Sequence, residues 1–452
     1  MNRRSGGMPP GAFAALRVPN FRLFFGGQCV SLVGNWMQVV SQSWLVLQLS
    51  GSGTVLGLVV AAQFLPVLLG APYGGLIADR ADKRRLLMAT QTSLGVLALV
   101  LGLLTVTGTV RLWMVVVLAL ALGTVNAVDN PTRQSLVPEL VGTGLLRGAV
   151  SLNSVMTNAA RAIGPAVAGV LIATVGAGVC FLANAASFAA VLVALGLMKP
   201  GRLQPAPAVT RAKGQLTEGL RYVRGTPGLW VPLVMMALIG TLAYEFQVLL
   251  PLLATTGLHG DARTYGFLTS AMGLGAVAGG LAITIRGRAG VGPLTVAAAG
   301  FAAALTAAAL IPSLPGALTT LMLVGAAGTV FLATGNTTLQ LISEPHYRGR
   351  VMALWAVTFL GSTPIGGPLI GLVGEHLGPR AGLAAGAAAC AAAAVLGLLT
   401  LPRIPTHHRL LDEHPHPTDP PPPPPPPPPP NRNTPDPGRG HPTALPEPPG
   451  SG

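Results

Sequence analysis

Twelve apolar stretches, each roughly 20 residues long or longer, run from Asn20 to Leu401, and the connections between them alternate between basic and nearly uncharged. A hydrocarbon core of about 30 Å takes about 20 helical residues to cross, and the crossing backbone must satisfy its own hydrogen bonds. The chain is therefore expected to be an all-α integral membrane protein of twelve transmembrane helices. Their approximate limits are 20–47, 54–78, 86–107, 112–130, 148–174, 178–198, 229–254, 264–285, 291–312, 316–338, 351–374 and 380–401.

Half of the 452 residues are hydrophobic and only 9% are charged, a surface that water does not tolerate but lipid does. Lys and Arg outnumber acidic residues 28 to 14, and a net charge of +14 raises the question of nucleic acid. The distribution answers it. Arg3, Arg4, Arg17, Arg80, Lys83, Arg84, Arg85, Arg133, Arg147, Lys199, Arg202, Arg211, Lys213, Arg221, Arg224, Arg286, Arg288, Arg348, Arg350, Arg403 and Arg409 precede the first span or fall in the even-numbered connections or after the last span; Arg111, Arg263 and Arg380 lie on the other side. This asymmetry places basic loops in the cytoplasm beside anionic lipid and argues against nucleic-acid binding. Both ends of the chain are then cytoplasmic, and the first helix, too long and polar for a signal-peptide core, is expected to be retained.

The apolar pattern divides the chain into a cytoplasmic segment at 1–19, a six-helix bundle at 20–198, a basic linker at 199–228, a second bundle at 229–401 and a Pro-rich cytoplasmic tail at 402–452. Within the linker, Gln215–Val223 has the spacing of a short amphipathic helix. Gly74-Gly75-Leu76 in the second span recurs as Gly279-Gly280-Leu281 in the eighth. Gly164-Pro165 with Gly169 in the fifth recurs as Gly367-Pro368 with Gly371 in the eleventh, at nearly the same offset. A parallel repeat of this kind relates two bundles by a pseudo-two-fold axis.

The tail contains an unbroken proline run at Pro420–Pro430, which favours polyproline II and cannot build a core. It reads as a disordered extension, with a polyproline-binding partner the lesser alternative. Cys29, Cys180 and Cys390 fall in separate spans and read as packing residues. His407, His408, His414 and His416 lack acidic or thiol companions, so neither a metal site nor a cofactor is expected. The preference for Ala, Gly and Arg points to a bacterial chain of the plasma (inner) membrane.

The end of the second span reads Gly75-Leu76-Ile77-Ala78-Asp79-Arg80-Ala81-Asp82-Lys83-Arg84-Arg85 and resembles the signature loop of the major facilitator superfamily. Asn20-Phe21-Arg22-Leu23-Phe24, Gly34-Asn35-Trp36-Met37-Gln38, Asp129-Asn130-Pro131-Thr132-Arg133-Gln134 and Asn158-Ala159-Ala160-Arg161-Ala162-Ile163-Gly164-Pro165 are similar to its enterobactin-exporter-like branch. The likeness covers roughly residues 16–400; Asp82 departs from the family's usual Gly. The resemblance implies secondary transport by alternating access, with siderophores, macrolides and other drugs among the cargoes of the branch. It also implies a conformational latch. Gly75 allows close helix approach, Asp79 caps the eleventh span near Gly349–Val351, and Arg80 meets Asp129, with Arg133 as the alternative partner of Asp129. Gly164-Pro165 through Gly169 resembles an antiporter motif, although a kinked, tightly packed helix accounts for it equally.

Gln28, Ser31, Asn35, Gln38 and Gln42 recur in alternating steps of three and four, which puts all five on one face of the first helix. Such a face avoids lipid. It either bonds a neighbouring helix or lines a central cavity for a small-molecule substrate, the latter being favoured, with Gln63, Asn126, Asn336, Thr337 and Gln340 as further candidates. Glu245 and Arg161 lie well inside spans, where a charge costs about 2.5–3.5 kcal/mol or more on insertion scales. Glu245 can take up and release a proton, while Arg161 stays charged and can bias it. No nucleotide-binding loop and no cluster of nucleophile, base or metal ligands is seen, so neither an ATP-driven pump nor an enzyme is expected. Proton-coupled efflux of a small amphipathic compound is the leading expectation. Uptake by symport and a non-transporting sensor or scaffold are the alternatives.

Overall fold

A computed structural model describes residues 12–202, 215–404 and 411–412. The proline run, the tail histidines and residues 203–214 of the linker lie outside the described residues, as does the side chain of Asp79. The first half comprises α1 (Pro19–Ser50), α2 (Gly53–Arg80), α3 (Lys83–Val106), α4 (Leu112–Val141), α5 (Leu146–Val175) and α6 (Ala177–Leu197). A linker helix, α7 (Gln215–Gly225), precedes the second half. That half is built from α8 (Pro227–Ala243), α9 (Phe246–Leu252), α10 (Ala262–Arg286), α11 (Val291–Leu310), α12 (Leu314–Ile342), α13 (Arg348–His376) and α14 (Pro379–Thr400).

Among the described residues, eleven helical segments are long and apolar enough to cross a membrane. The remaining span is α1, whose 32 residues are ample in length; its stripe of amides and hydroxyls lowers its hydropathy. The seventh span, expected as one helix over 229–254, is broken. α8 stops at Ala243, Glu245 adopts φ −82° and ψ 42°, α9 restarts at Phe246, and a π turn at Leu253–Gly257 ends the segment. Interrupted backbone is tolerated at membrane depth only where protein or a cavity covers it, and Phe246, Val248, Leu249, Leu250 and Leu252 are all buried.

The pairing of helices repeats between the halves. α2 packs on α4 as α10 packs on α12; α3 on α6 as α11 on α14; α1 on α5 and α6 as α8 on α13 and α14. The two halves are joined by α2 against α13 and by its counterpart, α10 against α5. In lipid, helix association depends on close packing more than on the hydrophobic effect, and small residues permit it. Gly74 lies so near α4 that an added Cβ would meet the Ala127 carbonyl oxygen at 1.9 Å, and the equivalent Gly279 would meet Ala326 on α12 at 2.4 Å. On α2 this close approach is made by Gly74, next to the buried Gly75.

With an even number of spans, both halves begin and end at one end of the bundle, the basic end, which also carries the α2–α3 loop and α7. There Asp82 caps α3 by accepting from the Arg85 backbone N–H at 2.9 Å. Lys83 pairs with Glu139 of α4, and Arg84 donates to the Leu195 and Gly196 carbonyls of α6. Asp82 is therefore a helix cap, which accounts for an acidic residue in place of Gly. α7 is held to the α12–α13 corner by stacking of Tyr222 on Tyr347 at 4.3 Å and by the Glu218–Arg350 ion pair at 2.6 Å.

Candidate functional site: a divided cavity between the two halves

Two cavities lie along the junction. The larger, about 610 Å³, is lined from α1 by Asn35, Gln38 and Gln42, from α2 by Gln63, from α4 by Asn126, Asp129 and Arg133, and across the junction by Gln247 and Leu360. The smaller, about 230 Å³, adjoins it through Val39, Val60, Phe64, Gln247 and Leu360, and is lined by Trp36, Arg161, Tyr244, Glu245 and Phe359. Both are bounded by residues of both halves.

The ends of the junction differ. At the end opposite the basic loops, an added Cβ on Gly57 would meet the Gly367 carbonyl oxygen at 2.2 Å and one on Gly371 the Gly53 carbonyl oxygen at 2.3 Å. The other seam is equally close, with Gly266 against the Pro165 carbonyl oxygen at 2.5 Å and the Gly169 Cα at 2.8 Å. The repeated Gly-Pro motifs therefore build the closed end of the molecule, α2 to α13 and α5 to α10. Glu375 at the end of α13 adds a polar tie: it accepts from Ser52 Oγ at 2.6 Å and from the Thr54 backbone N–H at 2.9 Å, at the amino end of α2. The larger cavity extends the other way, as far as Asn130, Arg133 and Gln134 near the basic end of α4.

Not every expected cavity residue reaches it. Asn35, Gln38, Gln42 and Asn126 line the larger cavity, whereas Gln28 and Ser31 are buried and line neither. Gln28 instead accepts from Arg133, a residue of the cavity wall, at 3.4 Å. Asn336 and Gln340 also line neither cavity; they bond each other along α12. Gln42 donates to Gln63 at 3.0 Å, and Gln38 accepts from Asn184 of α6 at 2.6 Å. The α1 stripe thus serves the cavity and a neighbouring helix at once. Asn184 was not singled out in the sequence, although an amide in the middle of an apolar span was signal enough.

The expected latch pairing differs in one respect. Asp129 is 2% exposed and accepts from Thr90 Oγ1 at 2.7 Å and Gln91 Nε2 at 2.9 Å, so it binds α4 to α3. It forms no ion pair with Arg80, which is exposed at the end of α2, or with Arg133, which instead donates to Asn130 at 2.8 Å. Thr90 and Gln91 supply the donors to Asp129, while Asn130 and Gln28 take up Arg133. Arg350, beside the expected Asp79 contact at Gly349–Val351, pairs with Glu218.

Glu245 and Arg161 face the smaller cavity without forming an ion pair with each other. Glu245 is 3% exposed, its Oε1 has no hydrogen-bond partner, and it abuts α13, where a Cβ on Gly366 would lie 2.8 Å from that oxygen. The Arg161 guanidinium stands over the Trp36 ring at 5.5 Å, and its buried Nε has no acceptor. The neighbouring Tyr244 is committed elsewhere, donating to the Gly328 carbonyl at 2.6 Å.

Comparisons with known proteins agree with this architecture. Residues 10–421 match the family described as transmembrane secretion effector. The staphyloferrin A transporter of Staphylococcus aureus is 30% identical over 260 residues, a match covering 57% of this chain and 64% of the relative, slightly under two thirds of its length. The multidrug efflux pump Tap of Mycolicibacterium fortuitum is 28% identical, covering 76% of this chain and 87% of the relative, and the enterobactin exporter EntS of Shigella boydii is 26% identical, covering 85% and 92%. Among solved structures, a bacterial homolog of the lysosomal transporter Spinster superposes with a TM-score of 0.65 at 16% identity, covering 89% of this chain and 99% of that one. A bacterial homologue of ferroportin gives 0.64 at 17%, covering 85% and 98%. At these identities the structural likeness establishes the fold.

Proposed function

The chain belongs to the major facilitator superfamily, in its transmembrane secretion effector branch, and from that premise we propose that it exports a small amphipathic compound by proton-coupled alternating access. The observation that carries the reading is the cavity between the halves, lined by amides, closed by backbone-close glycine seams at one end and extending toward the basic end. With the basic end in the cytoplasm, this is the inward-open state. Amides accept varied polar cargo without a fixed charge, and the apolar wall from Val60 and Phe64 suits an amphipathic body.

Rocking of the halves about the α2–α13 and α5–α10 seams would separate Glu375 from α2 and expose the cavity on the other side. Glu245 is the proton carrier in this scheme, since its carboxyl faces the cavity and has an oxygen free to hold a proton; Arg161 biases its charge state through the shared cavity. The test is a substrate panel in a pump-deficient bacterial host, followed by proteoliposomes with an imposed pH gradient. Outward flux that dissipates the gradient is expected. Flux into the cell compartment together with protons would replace export by symport.

A further inference from the structure

We propose that the smaller cavity is an anion subsite: Arg161 takes a carboxylate or similar oxyanion of the cargo, while Trp36 and Phe359 enclose the apolar or aromatic body that carries it. The proposal rests on reading the two adjoining cavities as one cargo path, and it adds the charge of the cargo to that reading.

The reasoning begins with a cation that has no counter-ion. Arg161 remains charged under any physiological condition, and a buried guanidinium is normally matched to a carboxylate through its planar fork of donors. Here no carboxylate oxygen among the described residues lies within ion-pair distance. The guanidinium makes no hydrogen bond among the described residues, its Nε is buried without an acceptor, and the Trp36 face is its one compensating contact. A structural salt bridge inside a span would show the reverse, a paired charge with its donors occupied.

The acidic group that shares this cavity is not its counter-ion. Glu245 lines the same cavity space, lies against Gly366 of α13 and forms no ion pair with Arg161. That space, about 230 Å³, is walled by Trp36, Val60, Phe64 and Phe359. A flat apolar group fits among such side chains, with an acidic oxygen directed at Arg161. A cationic amphiphile meets the opposite situation, since Arg161 repels it. The larger cavity, where amides predominate, accommodates the uncharged remainder of a longer molecule.

The full-length protein, reconstituted in nanodiscs, is tested by equilibrium dialysis with three probes that share one aromatic body: 2-naphthoate, 2-naphthamide and 2-naphthylmethylammonium. Naphthoate is expected to bind at least about tenfold more tightly than the other two, the usual scale of one charge-assisted contact. Arg161→Gln should remove that preference and leave naphthamide binding within about twofold of wild type, whereas Arg111→Gln, at an exposed cation outside both cavities, should retain it. Equal binding of naphthoate and naphthamide, preference for the ammonium probe, absence of naphthoate binding, or a preference that survives Arg161→Gln would each overturn the proposal. If Arg161→Gln does not reach the membrane, Arg161→Lys replaces it. That variant keeps the charge but loses the fork, so the naphthoate to naphthamide ratio should fall severalfold, and an unchanged ratio rejects the site. Failure of wild-type protein to move any compound in the efflux panel would remove the transport reading and leave the binding result to decide the subsite. Export confined to neutral and cationic compounds would keep transport and reject the subsite.

Discussion

Asp129 accepts two hydrogen bonds through one oxygen, whereas Glu245 has an oxygen with none. The first is therefore expected to hold helices together and the second to exchange a proton. Asp129→Asn keeps the acceptor and should leave expression and coupling near wild type. Asp129→Ala leaves Thr90 and Gln91 with lost bonds in a buried site and should lower stability by about 1–3 kcal/mol in thermal unfolding of purified protein. Glu245→Gln should abolish substrate-driven proton movement in proteoliposomes while binding persists; coupling lost in Asp129→Asn but kept in Glu245→Gln would exchange the two roles. Asp261 offers a pH-dependent case outside the spans. Its carboxylate caps α10 by accepting from the Thr264 N–H at 3.1 Å, and this bond holds its pKa below the usual aspartate value. The sign follows: the stabilisation is complete above the unfolded-state value near 4 and fades as pH falls through the lower folded value. Asp261→Ala should cost about 0.5–2 kcal/mol at neutral pH, toward the low end because the group is exposed, and less in acid.

The α2–α13 seam is set by glycine, so adding one methyl group tests it. A Cβ at Gly57 would lie 2.2 Å from a backbone oxygen of α13, a clash no rotamer can relieve. Gly57→Ala should therefore push the helices apart at the closed end and favour the alternative state. Spin labels at Thr109 and Leu377, exposed in the connections of the two halves at that end, should show a longer mean distance than in the parent, with the native cysteines replaced in both. An unchanged distance distribution would mean that the seam does not control closure. Glu375→Gln should act in the same direction but more weakly, since a neutral amide still accepts from Ser52 while losing its charge at the amino end of α2.

For the whole molecule, the expected orientation follows from the charge asymmetry of the loops. A Cys introduced at Arg202, exposed after α6, should resist a membrane-impermeant maleimide added to intact cells, and one at Thr109, exposed between α3 and α4, should react. Labelling at Arg202 with protection at Thr109 would invert the topology and, with it, the assignment of the inward-open state.

Spans, their number and the repeat were legible because lipid imposes one requirement on every crossing segment, and that requirement is local to the chain: enough apolar residues in helical register. The repeated glycines were visible for the same reason, as small residues at fixed positions. The polar stripe on α1 was visible as a face, but a face has no depth. Whether Gln28 or Gln42 meets the cavity depends on where α4 and α6 cross α1, which their tertiary packing decides. The break at Glu245 was hidden because an apolar run looks alike whether its helix is continuous or interrupted; burial by α13 and α14 compensates the backbone there. The partners of Asp129 were hidden too, since Thr90 and Gln91 lie on another helix and a charge in the sequence points first to other charges. Local chemistry determined what each segment must be, and the crossing of helices alone decided which side chains share a cavity, because distances between segments are properties of packing and not of order along the chain.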